Sequence, residues 1–206
     1  MSYSNLIRLG GLAAMVGGVL YAGVSMLVGR LAEELVYIGN IGYGFIVVSL
    51  PLGAMAAILA LYGLHRERYG LAGLVLCLTA FLGLALATVA LTLGVIATYP
   101  ISAFPDSAWI FSWLLLSGLL VATLGLVLLG ALSVAWQIVP PWYGVTLMAG
   151  SPLGVLLTMV PSEALAGGSV IGRAFQALGG LLWVVVGYYI FRSAGGGRTE
   201  RPARVR

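Results

Sequence analysis

The chain has 206 residues and a formal net charge of +4; 61% of its residues are apolar and 8% are charged, against about 25% charged in soluble domains. That balance excludes a soluble globular domain, a disordered chain, a basic nucleic-acid reader and a secreted disulfide scaffold. A polytopic membrane protein remains, with the lipid bilayer as its partner and no nucleic acid.

A helix needs about 20 apolar residues to cross a hydrocarbon core of about 30 Å. Six stretches reach or approach that length, at residues 7–28, 38–64, 71–98, 108–138, 143–160 and 171–191. The expected fold class is all-α: a polytopic transmembrane helix bundle of six spans over residues 1–192. A flexible basic cytoplasmic tail over 193–206 is expected to follow.

The first stretch is longer than the 7–15 residues of a signal-peptide core, so it reads as a helix that is kept. Gly10, Ala14, Gly18 and Ala22 recur along it every fourth residue, a small-residue stripe that lets another backbone come close. Beyond it, Glu33 and Glu34 follow Arg30 at the spacing of one helical turn, where opposite charges pair.

The second stretch opens with Asn40-Ile41-Gly42-Tyr43-Gly44. This resembles the Thr-Val/Ile-Gly-Tyr-Gly filter of potassium channels, in which stacked carbonyls replace the ion's hydration shell. Asparagine stands where the filter has threonine, and the segment between Arg30 and Asn40 is too short for a pore helix. Phe45-Ile46-Val47-Val48 then follows with no loop. The segment reads as the glycine-rich start of a helix. Pro51, within this stretch, removes an amide donor and is expected to kink it.

His65-Arg66-Glu67-Arg68 separates the second and third stretches as a charged hairpin. Pro105-Asp106-Ser107 precedes the fourth and supplies an N-cap. Gly118, Ala122 and Gly130 give that stretch a small-residue face. The fifth is the shortest, bounded by Pro140, Pro141 and Pro161; it reads as a full span or a re-entrant segment. It carries Thr146, Gly150, Gly154 and Thr158 at four-residue intervals, and Pro152 within it. In the sixth, Leu178-Gly179-Gly180-Leu181 with Gly187 echoes Leu9-Gly10-Gly11-Leu12 with Gly18. In so glycine-rich a chain the echo is no evidence of a repeat. The small-residue stripes serve packing inside the chain or a homo-oligomer.

Alternate loops carry very different numbers of arginines. Arg8, Arg66, Arg68, Arg192, Arg198, Arg201, Arg204 and Arg206 fall on one side, and Arg30 and Arg173 on the other. The excess marks the cytoplasmic side, so a multi-pass protein of the cell membrane with both termini cytoplasmic is expected. Trp109 and Trp113 near one interface, and Trp136, Trp142 and Tyr143 near the other, fit the headgroup levels.

Chemistry-bearing residues are few. The chain has no lysine, so Schiff-base chemistry is excluded. One cysteine, Cys77, and one histidine, His65, leave no intrachain disulfide and no multi-histidine metal site. Gly150-Ser151-Pro152-Leu153-Gly154 does not match the Gly-x-Ser-x-Gly elbow, and Asp106 is the only aspartate. No catalytic, cofactor or metal residue is assigned. If one outward-facing polar site exists, its residues are Arg30, Glu33, Glu34, Asn40, Glu163 and Arg173.

Leu9-Gly10-Gly11, the basic hairpin, the turn Val139-Pro140-Pro141-Trp142-Tyr143-Gly144 and Gly187-Tyr188 give the chain its cadence. It resembles a broad set of bacterial six-helix integral membrane proteins that carry no defined activity. The resemblance implies a fold and a location only. The sequence favours a non-catalytic membrane protein that packs with partners or binds lipid or another apolar ligand. A small-solute transporter or channel, oligomeric or not, is the alternative.

Overall fold

The computed structural model describes the backbone of residues 3–31, 36–98, 108–159 and 170–196, and the side chains mainly of 3–23, 48–93, 109–150 and 177–195. All regular structure among the described residues is helical. The elements are α1 (Tyr3–Leu31), α2 (Val36–Thr98), α3 (Ala108–Ala135), α4 (Pro141–Met159) and α5 (Val170–Gly196). Four apolar stretches are long enough to cross a membrane: Tyr3–Gly23, Val48–Leu93, Trp109–Ala135 and Ala177–Gly195. The protein is thus a multi-pass helical membrane protein. Its exposed leucines and valines, such as Leu9, Val16, Leu82 and Leu124, are the faces such helices offer to acyl chains.

The second of these stretches has 46 residues, roughly 69 Å if straight and more than twice the hydrocarbon thickness. It is not straight. His65 (φ −123, ψ 20) and Gly70 (φ 54, ψ −150) leave helical geometry and divide α2 into two limbs. Gly70 takes a positive φ that a side chain would disfavour. The break coincides with the run of charged residues between the apolar stretches. At Pro51 the backbone keeps helical φ/ψ. Asn40 to Gly44 lie inside α2 as helix, so their carbonyls point along the helix axis and form no filter.

Close backbone approaches show how the helices run. A Cβ on Gly17 would lie 2.7 Å from the Ser49 carbonyl oxygen, and one on Gly10 would lie 2.7 Å from that of Ala56. The first limb of α2 is therefore antiparallel to α1. By the same reasoning Gly11 meets Gly187 and Gly18 meets Gly180, so α5 is antiparallel to α1. Gly118 sits on Ala87 and Gly125 on Ala80, setting α3 antiparallel to the second limb; Gly130 meets Gly144 across the α3–α4 turn. Tyr143 stacks on Tyr189 while Gly150 faces Leu182, so α4 and α5 are antiparallel. Following these pairs round the bundle, the two limbs of α2 run in opposite directions, and the chain reverses at 65–70.

The α3–α4 turn is a Schellman motif. The amide of Ile138 donates to the Ser133 carbonyl (3.0 Å) and that of Gln137 to the Val134 carbonyl (3.1 Å). Gln137 takes the left-handed position with φ 52, and Pro141 opens α4, where a missing amide donor costs nothing. One apolar core joins all five helices, with Ile58, Leu61, Leu126, Leu129 and Ile190 fully buried.

Two expectations change in detail. The stripe on α1 divides: Gly10 faces α2, whereas Gly18 faces α5. A four-residue step advances roughly 400° around a helix, so eight residues drift by about 80° and reach a second neighbour. The stripes on α1 and α3 are seams within the chain. Helix α5 also continues through Gly196, into the segment expected to be tail. Ser193 hydrogen-bonds Tyr189 one turn earlier and Gly195 packs against Arg8. Residues 197–206 lie outside the described residues.

Candidate functional site

The antiparallel order brings four parts of the chain to one end of the bundle: the start of α1, the 65–70 break, the 136–140 turn and the end of α5. Tyr3 closes one side, its hydroxyl donating to the Gly63 carbonyl at 2.9 Å. Arg8 lies over the Phe191 ring, 5.7 Å from its centroid. Arg8, Arg66, Arg68 and Arg192, all exposed, share this end.

Beneath the arginines is a cluster of tyrosines. Tyr69 and Ser133 are both fully buried, with their hydroxyls 2.7 Å apart. Ser133 donates its own proton to the Leu129 carbonyl at 2.6 Å. Tyr69 is therefore the donor between the two, and both hydroxyl protons are used. Ser133 is the one buried polar residue found among the described residues outside the apolar and aromatic set. Tyr143 stacks on Tyr189 with ring centroids 4.4 Å apart, and Trp142 meets both rings edge-on. The Tyr143 hydroxyl is buried and has no hydrogen-bond partner among the described residues.

Two clefts open on the α1–α2 side of this end. One, of about 410 Å³, is lined by Tyr3, Gly63, His65, Arg66, Glu67 and Arg68. The other, also about 410 Å³, is apolar and runs down the bundle between Leu6, Leu9, Ala13, Ala56 and Leu59. Tyr3 and Gly63 line both, so the polar and apolar clefts meet along a shared wall. His65 stands between the polar cleft and Tyr69, whose ring it meets edge-on with centroids 6.2 Å apart. Its Nε2 is buried with no partner among the described residues. Burial holds the imidazole below its ordinary range, and the Arg68 charge adds to this, so His65 is neutral at pH 7.

The side chains expected to form an outer polar site all fall outside the described residues. Arg30, Asn40 and Arg173 lie on helical backbone, and their side chains fall outside the described residues. Glu33, Glu34 and Glu163 lie outside them altogether. Among the described residues, polar groups converge at the arginine-rich end, from parts of the chain that are far apart in sequence. One signal was available: Tyr3, Tyr69, Tyr143 and Tyr189 each stand within a few residues of a loop or terminus on the arginine-rich side.

The arrangement can hold a charged group over the arginines and an apolar chain below them. No three His, Cys, Asp or Glu side chains gather among the described residues. Comparison of the chain with protein-family models, curated proteins and solved structures finds no match to any of them.

Proposed function

We propose that the protein is a non-catalytic membrane protein of six spans, with both termini cytoplasmic, that binds lipid or another apolar ligand on the bundle surface. The limbs of α2 count as two spans in this reading and α4 as a full one. The arginine-rich end, with the 65–70 hairpin, then faces the cytoplasm. The observation that carries the reading is the close packing of the bundle among the described residues. Glycine seams put backbone against backbone between four pairs of neighbouring helices, and the buried Ser133 and Tyr69 hydroxyls are spent on each other and on Leu129. A solute path needs polar groups lining water; the buried hydroxyl left without a partner among the described residues, that of Tyr143, lies among the Tyr189 and Trp142 rings, whereas the two clefts at the surface suit an amphiphile.

Flux assays in liposomes test this. The reconstituted protein is expected to pass ions and small solutes no faster than protein-free vesicles. Flux that depends on the protein and is lost on replacing Glu34 or Asn40 would establish the transporter or channel reading instead. Topology is tested with Ser193→Cys and Glu67→Cys. Cys77 is buried, so an introduced thiol reports alone. Neither variant is expected to react with an impermeant maleimide from outside intact cells, and both should react after lysis. Labelling from outside would reverse the orientation.

A further inference from the structure

We infer that the paired clefts at the α1–α2 hairpin form a binding site for a phospholipid with an anionic headgroup. The phosphate lies against Arg66 and Arg68, and one acyl chain lies in the groove beneath. This deepens the lipid-binding reading above and rests on it.

Three observations converge. The first is continuity: a polar cleft and an apolar groove share Tyr3 and Gly63 as a common wall, so a single molecule can occupy both only if it is amphiphilic. The second is charge. The polar cleft holds two guanidiniums and one carboxylate, that of Glu67, and with His65 neutral it has a net positive charge. A zwitterionic headgroup gains nothing from that net charge; an anionic one does. Guanidinium forks also fit phosphate oxygens with paired hydrogen bonds. The third is an unmet hydrogen bond. His65 lines this cleft, and its Nε2 is buried with no partner among the described residues. A rotation of the imidazole into the cleft, in the tautomer that protonates Nε2, lets it donate to a headgroup oxygen. The Tyr3 hydroxyl already donates to Gly63 and keeps its lone pairs for a headgroup hydroxyl.

Depth is consistent as well. The groove lies along the first turns of α1 and the last turns of the first limb, directly below the hairpin that carries the arginines. An acyl chain entering there lies parallel to the helices, as in the surrounding leaflet.

The test uses the full chain in nanodiscs of equal phosphatidylglycerol and phosphatidylcholine. The protein is released into mild detergent and its retained lipids are identified by native mass spectrometry. The wild type is expected to retain phosphatidylglycerol in preference. R66Q/R68Q should lose that preference, by about fivefold for each arginine. R192Q, which removes an arginine from the same end but outside the clefts, should keep it. A13F, which fills the groove, should lose retained lipid of both kinds. Inorganic phosphate at millimolar concentration should not displace the lipid.

A preference that survives R66Q/R68Q, or falls equally in R192Q, would overturn the headgroup assignment while leaving lipid binding intact. Displacement by phosphate together with full retention in A13F would make the site a free-anion site and overturn the proposal. A wild type that retains no lipid would sink the lipid-binding reading itself. If R66Q/R68Q fails to insert, A13F decides: loss of phosphatidylglycerol supports the site, and unchanged retention overturns it.

Discussion

Gly11 and Gly187 face each other where α1 crosses α5: a Cβ on Gly11 would lie 2.7 Å from the Gly187 carbonyl oxygen, and a Cβ on Gly187 would collide with the Gly11 carbonyl. Seven residues along each helix, Gly18 and Gly180 repeat the arrangement. In lipid, where apolar surface gains little by leaving the solvent, such contact is what holds helices together. Gly11→Leu or Gly187→Leu is expected to destabilise the bundle by about 1–3 kcal/mol through overpacking. Gly179→Ala and Gly23→Ala meet nothing within 4 Å among the described residues and should be neutral or slightly stabilising, since alanine favours helix by about 1 kcal/mol over glycine. Thermal unfolding in detergent should separate the two pairs; equal behaviour would show that the seam does not hold the bundle.

The buried hydroxyls give opposite expectations for similar changes. Ser133→Ala leaves the Tyr69 hydroxyl buried without its acceptor, at a cost of about 1–3 kcal/mol. In a Tyr69→Phe background the same change should cost less, because no donor is left stranded, and a double-mutant cycle measures the difference. Tyr143→Phe removes a hydroxyl that has no partner among the described residues, so it should be neutral or stabilising. A large loss of stability in Tyr143→Phe would mean that its hydroxyl is bonded.

His65 makes stability depend on pH, with a definite sign. Burial first, and Arg68 second, lower its pKa from the ordinary 6.5. Below that value the unfolded chain takes up a proton that the folded chain resists. This contribution is full above about pH 6.5, declines as pH falls towards the folded pKa, and then levels off. The melting temperature of the wild type should fall between pH 7.5 and pH 5.5, and that of His65→Gln should fall less. Parallel losses in the two proteins would assign the dependence to another group.

Gln137 sits in the left-handed position that closes α3, where glycine is usual. A side chain there costs roughly 1–2 kcal/mol. Gln137→Gly should therefore raise stability by up to about 1 kcal/mol after its greater chain entropy is counted. A decrease would show that the glutamine side chain makes a contact worth more than the strain.

Helical character and membrane placement could be read from apolar runs because both depend on composition along the chain. The break in α2 was legible for the same reason: Arg66, Glu67 and Arg68 are charged, and charge is excluded from the hydrocarbon. Which glycine meets which helix was not legible. Gly10 and Gly18 belong to one sequence stripe yet face different neighbours, because helical pitch moves a stripe round the axis and only the neighbours' positions decide where it is used. The tyrosine cluster was hidden for another reason. Tyr69, Tyr143 and Tyr189 lie far apart in sequence, and their meeting depends on how many times the chain reverses. The echo between Leu9-Gly10-Gly11 and Leu178-Gly179-Gly180 says nothing of packing, and the meeting of Gly11 with Gly187 and of Gly18 with Gly180 was not legible from it.

Helix α1 is wedged between the first limb of α2 and α5, with Gly10 and Gly17 on one side and Gly11 and Gly18 on the other. During synthesis the first of these partners follows almost at once, whereas α5 emerges only after α2, α3 and α4. One glycine face of α1 therefore waits for its mate while α2, α3 and α4 are made. Contacts so distant along the chain form slowly. The nascent protein must leave that groove to lipid, or to an insertion factor, until α5 arrives to displace it.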